Sequence, residues 1–402
     1  MSDTRTADTL GEEIGATTAP PAPARQRRNP LQLVLGLVAL VVLLIAPLYL
    51  EEFWLRTGFV VSAAVVGAIG LNLLVGTSGQ LSLAHAFFLA VGAATYTYVS
   101  GEPGGTAAAV DGLGLPPLLG MLLGVLLAGF AGLLFSPVAA RLRGIYLGVA
   151  SIGLVFIGQH VMNTWETVTG GFNGRSVPDF SLFGFTFGAD NPELFVLGVE
   201  FRAAERLWYL GLAIALAAYL VARNILRGRA GRALVTLRDS EVAASVMGVN
   251  VQNYKARVFL LSSMYAGLAG VLYALSIGSI APESFALDLS VLYLAMIVLG
   301  GLGSVAGAAL GAAFVASLPL IFQQYADVLP LISDPGQGGI TAGQGARMLF
   351  GLAIILVVLF EPAGLVGLAQ RLRGRRQPPR TTSDPTDQTT PSHRPAQGST
   401  AS

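Results

Sequence analysis

Two side chains within the long apolar stretches of this 402-residue chain are imidazoles, the group whose unperturbed pKa lies near neutral: His85 and His160. Ser82 stands three residues before His85, a spacing that puts both on one face of a helix. Such a pair can hydrogen-bond a solute or a neighbouring helix. It is not a catalytic set. No Asp or Glu lies near the centre of an apolar stretch, no His pair has metal-ligand spacing, and cysteine is absent. The single lysine, Lys255, follows Tyr254, whereas a phosphate-binding loop needs Gly-Lys-Ser/Thr. The chain therefore has no Walker-type ATP site, and any ATP that drives it is bound by another polypeptide.

His85 closes the first informative polar run, Gly76-Thr-Ser-Gly-Gln-Leu-Ser-Leu-Ala-His85. Gly76 and Gly79 interrupt an apolar run, and Ser78 can cap the helix that restarts. A broken helix at membrane depth is tolerated where it is buried in protein or lines a cavity, and transporters aim such helix ends at substrate. Two readings stay open. Asn72, Gly76, Ser78, Gly79, Gln80, Ser82, His85 and His160 line a translocation pathway, or the run is a tight surface turn with cross-helix polar pairs.

The second polar run is Gly231–Asn250. Arg232, Arg238, Asp239 and Glu241 lie here, and a charge at the bilayer centre costs roughly 2.5–3.5 kcal/mol on the lenient insertion scale. The run therefore sits outside the hydrocarbon. It predicts a short helix. Asp239 or Ser240 can cap the first turn, Glu241 suits the positive N-terminal end, and Gly248 is placed to end it. Val242, Ala243, Val246 and Met247 fall on one face. The result is an amphipathic helix of about two turns: a docking surface for a soluble partner, or a solvated loop.

The elements that must hold these runs are apolar helices. Hydrophobic residues make up 53% and charged ones 12%, and mean hydropathy is +0.66, whereas soluble domains carry about 25% charge. The expected fold is an all-α polytopic transmembrane bundle. About ten apolar spans fit, near 31–50, 58–76, 81–100, 116–140, 144–163, 207–225, 256–277, 286–301, 304–323 and 346–366. The first is too long, and lacks the cleavage site, for a signal peptide. Residues 1–30 and the basic segment 367–402 read as disordered cytoplasmic tails around a membrane domain, 31–366. Residues 164–206 form an extracytoplasmic loop whose FSLFGFTF segment suits a small hairpin, and 226–255 form the cytoplasmic segment. Four basic regions orient the chain: Arg25–Arg28, Arg141/Arg143, Arg223–Arg257 and Arg371–Arg380. Ten spans put all four, and both termini, on the cytoplasmic side. Gly303, Gly307 and Gly311, like Gly120, Gly124, Ala128 and Gly132, are spaced by four and read as helix-packing seams. Val-Gly-Thr-Ser-Gly around Gly76 nearly matches Leu-Gly-Gly-Leu-Gly around Gly300, too briefly to establish a repeat.

Several blocks, in order, resemble branched-chain amino-acid permeases of the LivH/LivM type. They are GLNLLVGTSGQLSLAHAFFLAVGA from Gly70, Arg141-Leu-Arg-Gly-Ile-Tyr146, Thr169-Gly-Gly-Phe-Asn-Gly174 and Leu299-Gly-Gly-Leu-Gly-Ser304-Val-Ala-Gly307. The second and third point to the LivM branch. Glu241-Val-Ala-Ala-Ser-Val-Met-Gly248 resembles the EAA-type loop of ABC importer permeases. Val242 replaces the commoner Ala, and Ala84 the usual Gly. The resemblance implies an inner-membrane permease subunit without its own ATPase site, binding no cofactor, for branched-chain amino acids. Its implied partners are a LivH-like second permease, two ABC ATPase subunits carrying ATP and Mg, and an extracytoplasmic solute-binding protein. It also implies that Arg238, Asp239 and the Glu241–Gly248 helix couple to the ATPase. Relatives that carry urea, short amides or other small organic solutes keep the substrate open. The rival class, an ion-coupled secondary transporter, wants ionisable groups deep in the membrane. Net charge is +1 with the charges segregated by region, which gives no footprint for nucleic acid.

Overall fold

The computed structural model describes residues 30–104, 111–142, 144–188, 194–196, 199–325 and scattered positions within 344–367. The expected N-terminal tail to residue 29, the polar loop 327–343, most of the tenth span and the C-terminal tail beyond Gly367 lie outside the described residues. The chain divides into two units, Met1–Glu52 and Phe53–Ser402. In the first, α1 (Pro30–Ile45) runs into a 3-10 turn, Ala46–Leu48. Pro30 is tolerated in the first helical turn, whereas Pro47 cannot continue the α-helical ladder.

The second unit begins within the first turn of α2 (Glu52–Leu71), which ends in a π turn, Asn72–Gly76. Then come α3 (His85–Ser100), α4 (Pro117–Arg141), α5 (Ile145–Thr164) and the single turn α6 (Glu166–Thr169). After a long connection follow α7 (Ala203–Arg227), α8 (Arg229–Asp239) and α9 (Glu241–Val246). The chain returns through α10 (Val251–Ile277), α11 (Leu287–Gly300) and α12 (Val305–Gln324).

Among the described residues, seven helical segments are long and apolar enough to cross a membrane. They are α2 with its π turn, α4, α5, α7, α10, α11 with the turn before it, and α12. The protein is a helical, multi-pass membrane protein. Three of the ten expected spans are not among the seven. Within α1 the apolar helix is short, 346–366 is mostly undescribed, and α3 has 16 residues. The third span starts at His85 rather than Leu81 because residues 79–84 form neither helix nor strand. At 1.5 Å per residue, α3 spans about 24 Å.

The core is a triad, α3, α4 and α10, each packed against the other two, with α11 paired to α12. Glycine permits the close approach. A methyl group added at Gly92 of α3 would stand 2.6 Å from Gly267 Cα of α10. One added at Gly124 of α4 would stand 2.8 Å from Gly92 O, and one at Gly267 2.5 Å from Ala128 Cβ. Lipid tails give helices no hydrophobic reason to associate, so close packing of this kind holds them together. Gly307 and Gly311 play the same part on α12, facing the Gly300 and Met296 carbonyls of α11. Gly303 does not; it lies in the turn between α11 and α12.

The connection between α6 and α7 carries short strand pairs. β1 (Arg175–Ser176) pairs antiparallel with β6 (Ser279–Ile280), at the far end of α10. Within FSLFGFTF, β2 (Ser181–Leu182) and β3 (Phe185–Thr186) form a hairpin, and β4 (Leu194–Val196) pairs with β5 (Val199–Phe201). The β2–β3 turn places Phe183 and Gly184 both at positive φ, 50° and 87°, the conformation a two-residue hairpin favours. Arg175 fastens this face. Its guanidinium donates to Val168 O at 2.8 Å and Asp111 O at 3.0 Å and lies over the Tyr98 ring. Burial lowers its pKa, against the opposing fields of Tyr98 and Asp111; an arginine so placed keeps its charge.

Candidate coupling and pathway site

The end of α2 is an accounting problem, because the last carbonyls of a helix have no partner within it. The π turn returns the Thr77 N–H to Asn72 O. The Thr77 hydroxyl donates to Leu73 O at 2.6 Å and the Ser78 hydroxyl to Leu74 O at 2.7 Å. Gly79 N–H donates to Val75 O at 3.2 Å. The remaining carbonyl, Gly76 O, accepts from Arg238 Nη1 at 2.6 Å, across 162 residues of sequence. Meanwhile Asn72 Oδ1 accepts the Gly303 N–H at 2.9 Å. A side chain at Gly76 would collide with Asn72 Oδ1 and stand 2.5 Å from Gly303 N. The two glycine-rich stretches that nearly match in sequence thus touch in space, with Arg238 of α8 bonded to the first of them.

The pathway candidates separate on this geometry. Asn72, Gly76, Ser78, Gln80, Ser82 and His85 are buried, and Gly79 and His160 are exposed. His160 sits on the open side of α5. Ser82 lies in the non-helical link before α3, so it does not share a helical face with His85; its hydroxyl accepts from Ala84 N–H. Gln80 Nε2 donates to Ser78 Oγ at 2.9 Å. The His85 ring stands edge-on to Tyr293 of α11, 4.8 Å between centroids. The next residue, Ala86, donates its N–H to Ser290 Oγ. Among the described residues, buried polar atoms without a hydrogen-bond partner include Asn72 Nδ2, Gln80 Oε1 and His85 Nε2. One stretch therefore presents a donor, an acceptor and an imidazole nitrogen, each costly to leave bare in a dry interior.

The coupling candidates gather on α8 and α9. Ser240 caps α9, its hydroxyl accepting from Ala243 N–H at 3.2 Å; Asp239 instead ends α8. Gly248 takes φ +81°, closing the helix in the left-handed region. Glu241 pairs with the buried Lys255 at 2.6 Å, tying α9 to the start of α10. Sequence reasoning missed that partner, and it missed Asn72–Gly303 and Arg238–Gly76. The lone lysine, 14 residues from a carboxylate in the first turn of a helix, was the available signal. Ala244 faces inward, fully buried, while Val242, Val246 and Met247 are 73%, 82% and 74% exposed. Three large apolar side chains on one short helix point away from the protein.

A helical bundle that crosses a membrane repeatedly, with a broken helix whose polar atoms lack partners, is built as a membrane permease. The chain belongs to the family described as branched-chain amino acid transport system / permease component, which matches residues 53–360. It is 30% identical over 351 residues to the high-affinity branched-chain amino acid transport system permease protein LivM of Escherichia coli K12, covering 84% of this chain and 75% of that one. A probable LivM of Methanocaldococcus jannaschii is 23% identical over 67% of this chain and 75% of its own. The ribose import permease protein RbsC of Escherichia coli K12 is 26% identical over 60% and 66%. No solved structure matches.

Proposed function

We propose that this chain is the membrane-spanning permease subunit of an ABC importer for branched-chain amino acids, powered by ATP hydrolysis on separate subunits. The observation that carries the reading is the exposed apolar face of α9, in a chain of this family that lacks a P-loop. Its partners are a LivH-like second permease, two ABC ATPase subunits that bind ATP and Mg, and an extracytoplasmic binding protein. The permease does no bond-making chemistry. It supplies part of a pathway along the broken stretch 72–85, whose unpartnered Asn72, Gln80 and His85 atoms are the groups a polar solute would satisfy. RbsC is a ribose permease by name, so related folds serve unlike solutes, and leucine selectivity rests largely with the binding protein.

The test is uptake in proteoliposomes holding the complete complex. Radiolabelled leucine should enter only with ATP and loaded binding protein, competed by isoleucine and valine but not by urea. Uptake driven by a proton or sodium gradient without ATP would sink the reading.

Ten spans with both termini cytoplasmic remain the topology we favour. Gly76, Arg238 and Gly303 meet near the start of α10, and Arg175, Asp111 and Ile280 near its other end. An alternating ten-span path needs these two groupings on opposite sides. Reporter fusions after Gly104 and near Ser181 should score outside, and those after Arg229 and Arg373 inside. An outside score at Arg373 rules this topology out.

A further inference from the structure

We propose that Arg238 is a positioning residue that transmits movement of α8 and α9 to the inner end of the translocation pathway. The proposal rests on the permease reading above. It starts from the carbonyl count at the end of α2. Of the five carbonyls from Asn72 to Gly76, four are closed by residues within five positions; the fifth, Gly76 O, accepts from Arg238. A guanidinium suits that place because the C-terminal end of a helix carries partial negative charge.

Arg238 touches both glycine turns. A Cβ at Gly79 would stand 3.4 Å from its Cγ, and one at Gly303 would stand 3.3 Å from its Nη1. The two turns are themselves joined by the Gly303–Asn72 hydrogen bond. Gly79, Gly301 and Gly303 all have positive φ, 72°, 109° and 84°, so both turns are made of the residue that most easily changes backbone conformation. Thr77, Val235, Leu302 and Ser304 border a cavity of about 350 Å³ beside Arg238. That space lets the turns shift without collision.

On the other side Arg238 is fixed to what would be pushed. It lies three residues before Glu241, with one residue, Ser240, between α8 and α9. Its head is turned to Gly76, away from the exposed face of α9. A displacement of α9 must therefore drag the end of α2 or break the Arg238–Gly76 bond. This gives Arg238 a role distinct from docking: α9 binds, and Arg238 transmits.

The experiment uses the complete transporter in proteoliposomes, comparing wild type, Arg238→Ala and Arg238→Lys. In Arg238→Ala the ATPase subunits should stay bound at wild-type stoichiometry, while import per ATP hydrolysed falls at least about tenfold, about 1.4 kcal/mol of coupling. Arg238→Lys, which keeps a charged donor, should recover a substantial part. A second readout needs no substrate. The chain has no cysteine, so nitroxides at Val235→Cys and Leu302→Cys report one distance across the cavity. That distance should change on ATP binding in the wild type and stay fixed in Arg238→Ala. Unchanged import per ATP in Arg238→Ala, loss of its ATPase subunits, or a wild-type label distance indifferent to ATP would each overturn the proposal. A complex whose labels respond to ATP through Arg238, yet which imports no branched-chain amino acid, defeats the substrate reading and supports the link.

Discussion

A Val246→Asp permease is expected to insert normally, lose its ATPase subunits during detergent purification and import nothing. Val246 is 82% exposed at the last turn of α9, so the new carboxylate meets water in the isolated chain and disturbs no packing. The helix keeps its Ser240 cap and its Glu241–Lys255 pair. In the proposed complex the same position is buried against the ATPase together with Val242 and Met247. Burying two such side chains is worth about 3–6 kcal/mol, and each ~1.4 kcal/mol is tenfold in the docking equilibrium. Removing one apolar anchor and putting an unpaired charge in its place should weaken association at least a hundredfold, roughly 3 kcal/mol. Gly248→Asp should act more mildly. It places a side chain at φ +81°, a conformation that costs an L-residue about 1–2 kcal/mol, and so tilts α9 without charging its face. Co-purification at wild-type stoichiometry with normal import in the Val246→Asp variant would reduce α9 to a surface loop.

What the sequence made legible was local. The Ser-capped start of α9, its end at Gly248 and the hairpin in FSLFGFTF each follow from residues within a few positions of one another. The same holds for the glycines that open α4, since spacing by four is a property of one helix. Contacts between distant segments were not legible. Asn72–Gly303 and Arg238–Gly76 join residues 231 and 162 positions apart, and nothing in either segment marks its partner. The non-helical link before α3 was hidden for a different reason. Leu81, Leu83 and Ala84 are as apolar as a helix interior, and periodicity over so short a run does not separate a helix from other backbone conformations. The helical-face argument for Ser82 and His85 therefore assumed a helix one turn too early. Arg238 shows the same limit in another form. Its charge placed it outside the hydrocarbon, but charge alone does not say that its head turns back to a helix end.

The second large effect is expected in the core. Gly92→Ala should lower the temperature at which half the detergent-solubilised protein aggregates by several degrees, and Gly92→Leu should prevent recovery of folded protein. The added carbon would stand 2.6 Å from Gly267 Cα, with the Gly267 carbonyl nearer still. Carbon atoms settle at about 3.5–4.0 Å, so α3 and α10 must part by roughly 1 Å. Both neighbours are backbone, which cannot rotate aside as a flexible side chain would. Gly124 of α4 packs against the same Gly92 carbonyl, so α3 has no free direction in which to move. Overpacking a filled interior costs about 1–3 kcal/mol for small additions, and here the loss is shared by the three helices that form the centre of the bundle. Gly153 on α5 is the control, because a Cβ there meets nothing within 4 Å. Gly153→Ala should leave the midpoint unchanged, or raise it slightly through better helix propensity. If Gly92→Ala and Gly153→Ala behave alike, the backbone contact of α3 with α10 is looser than drawn here, and the account of how this bundle is held together without a hydrophobic driving force fails with it.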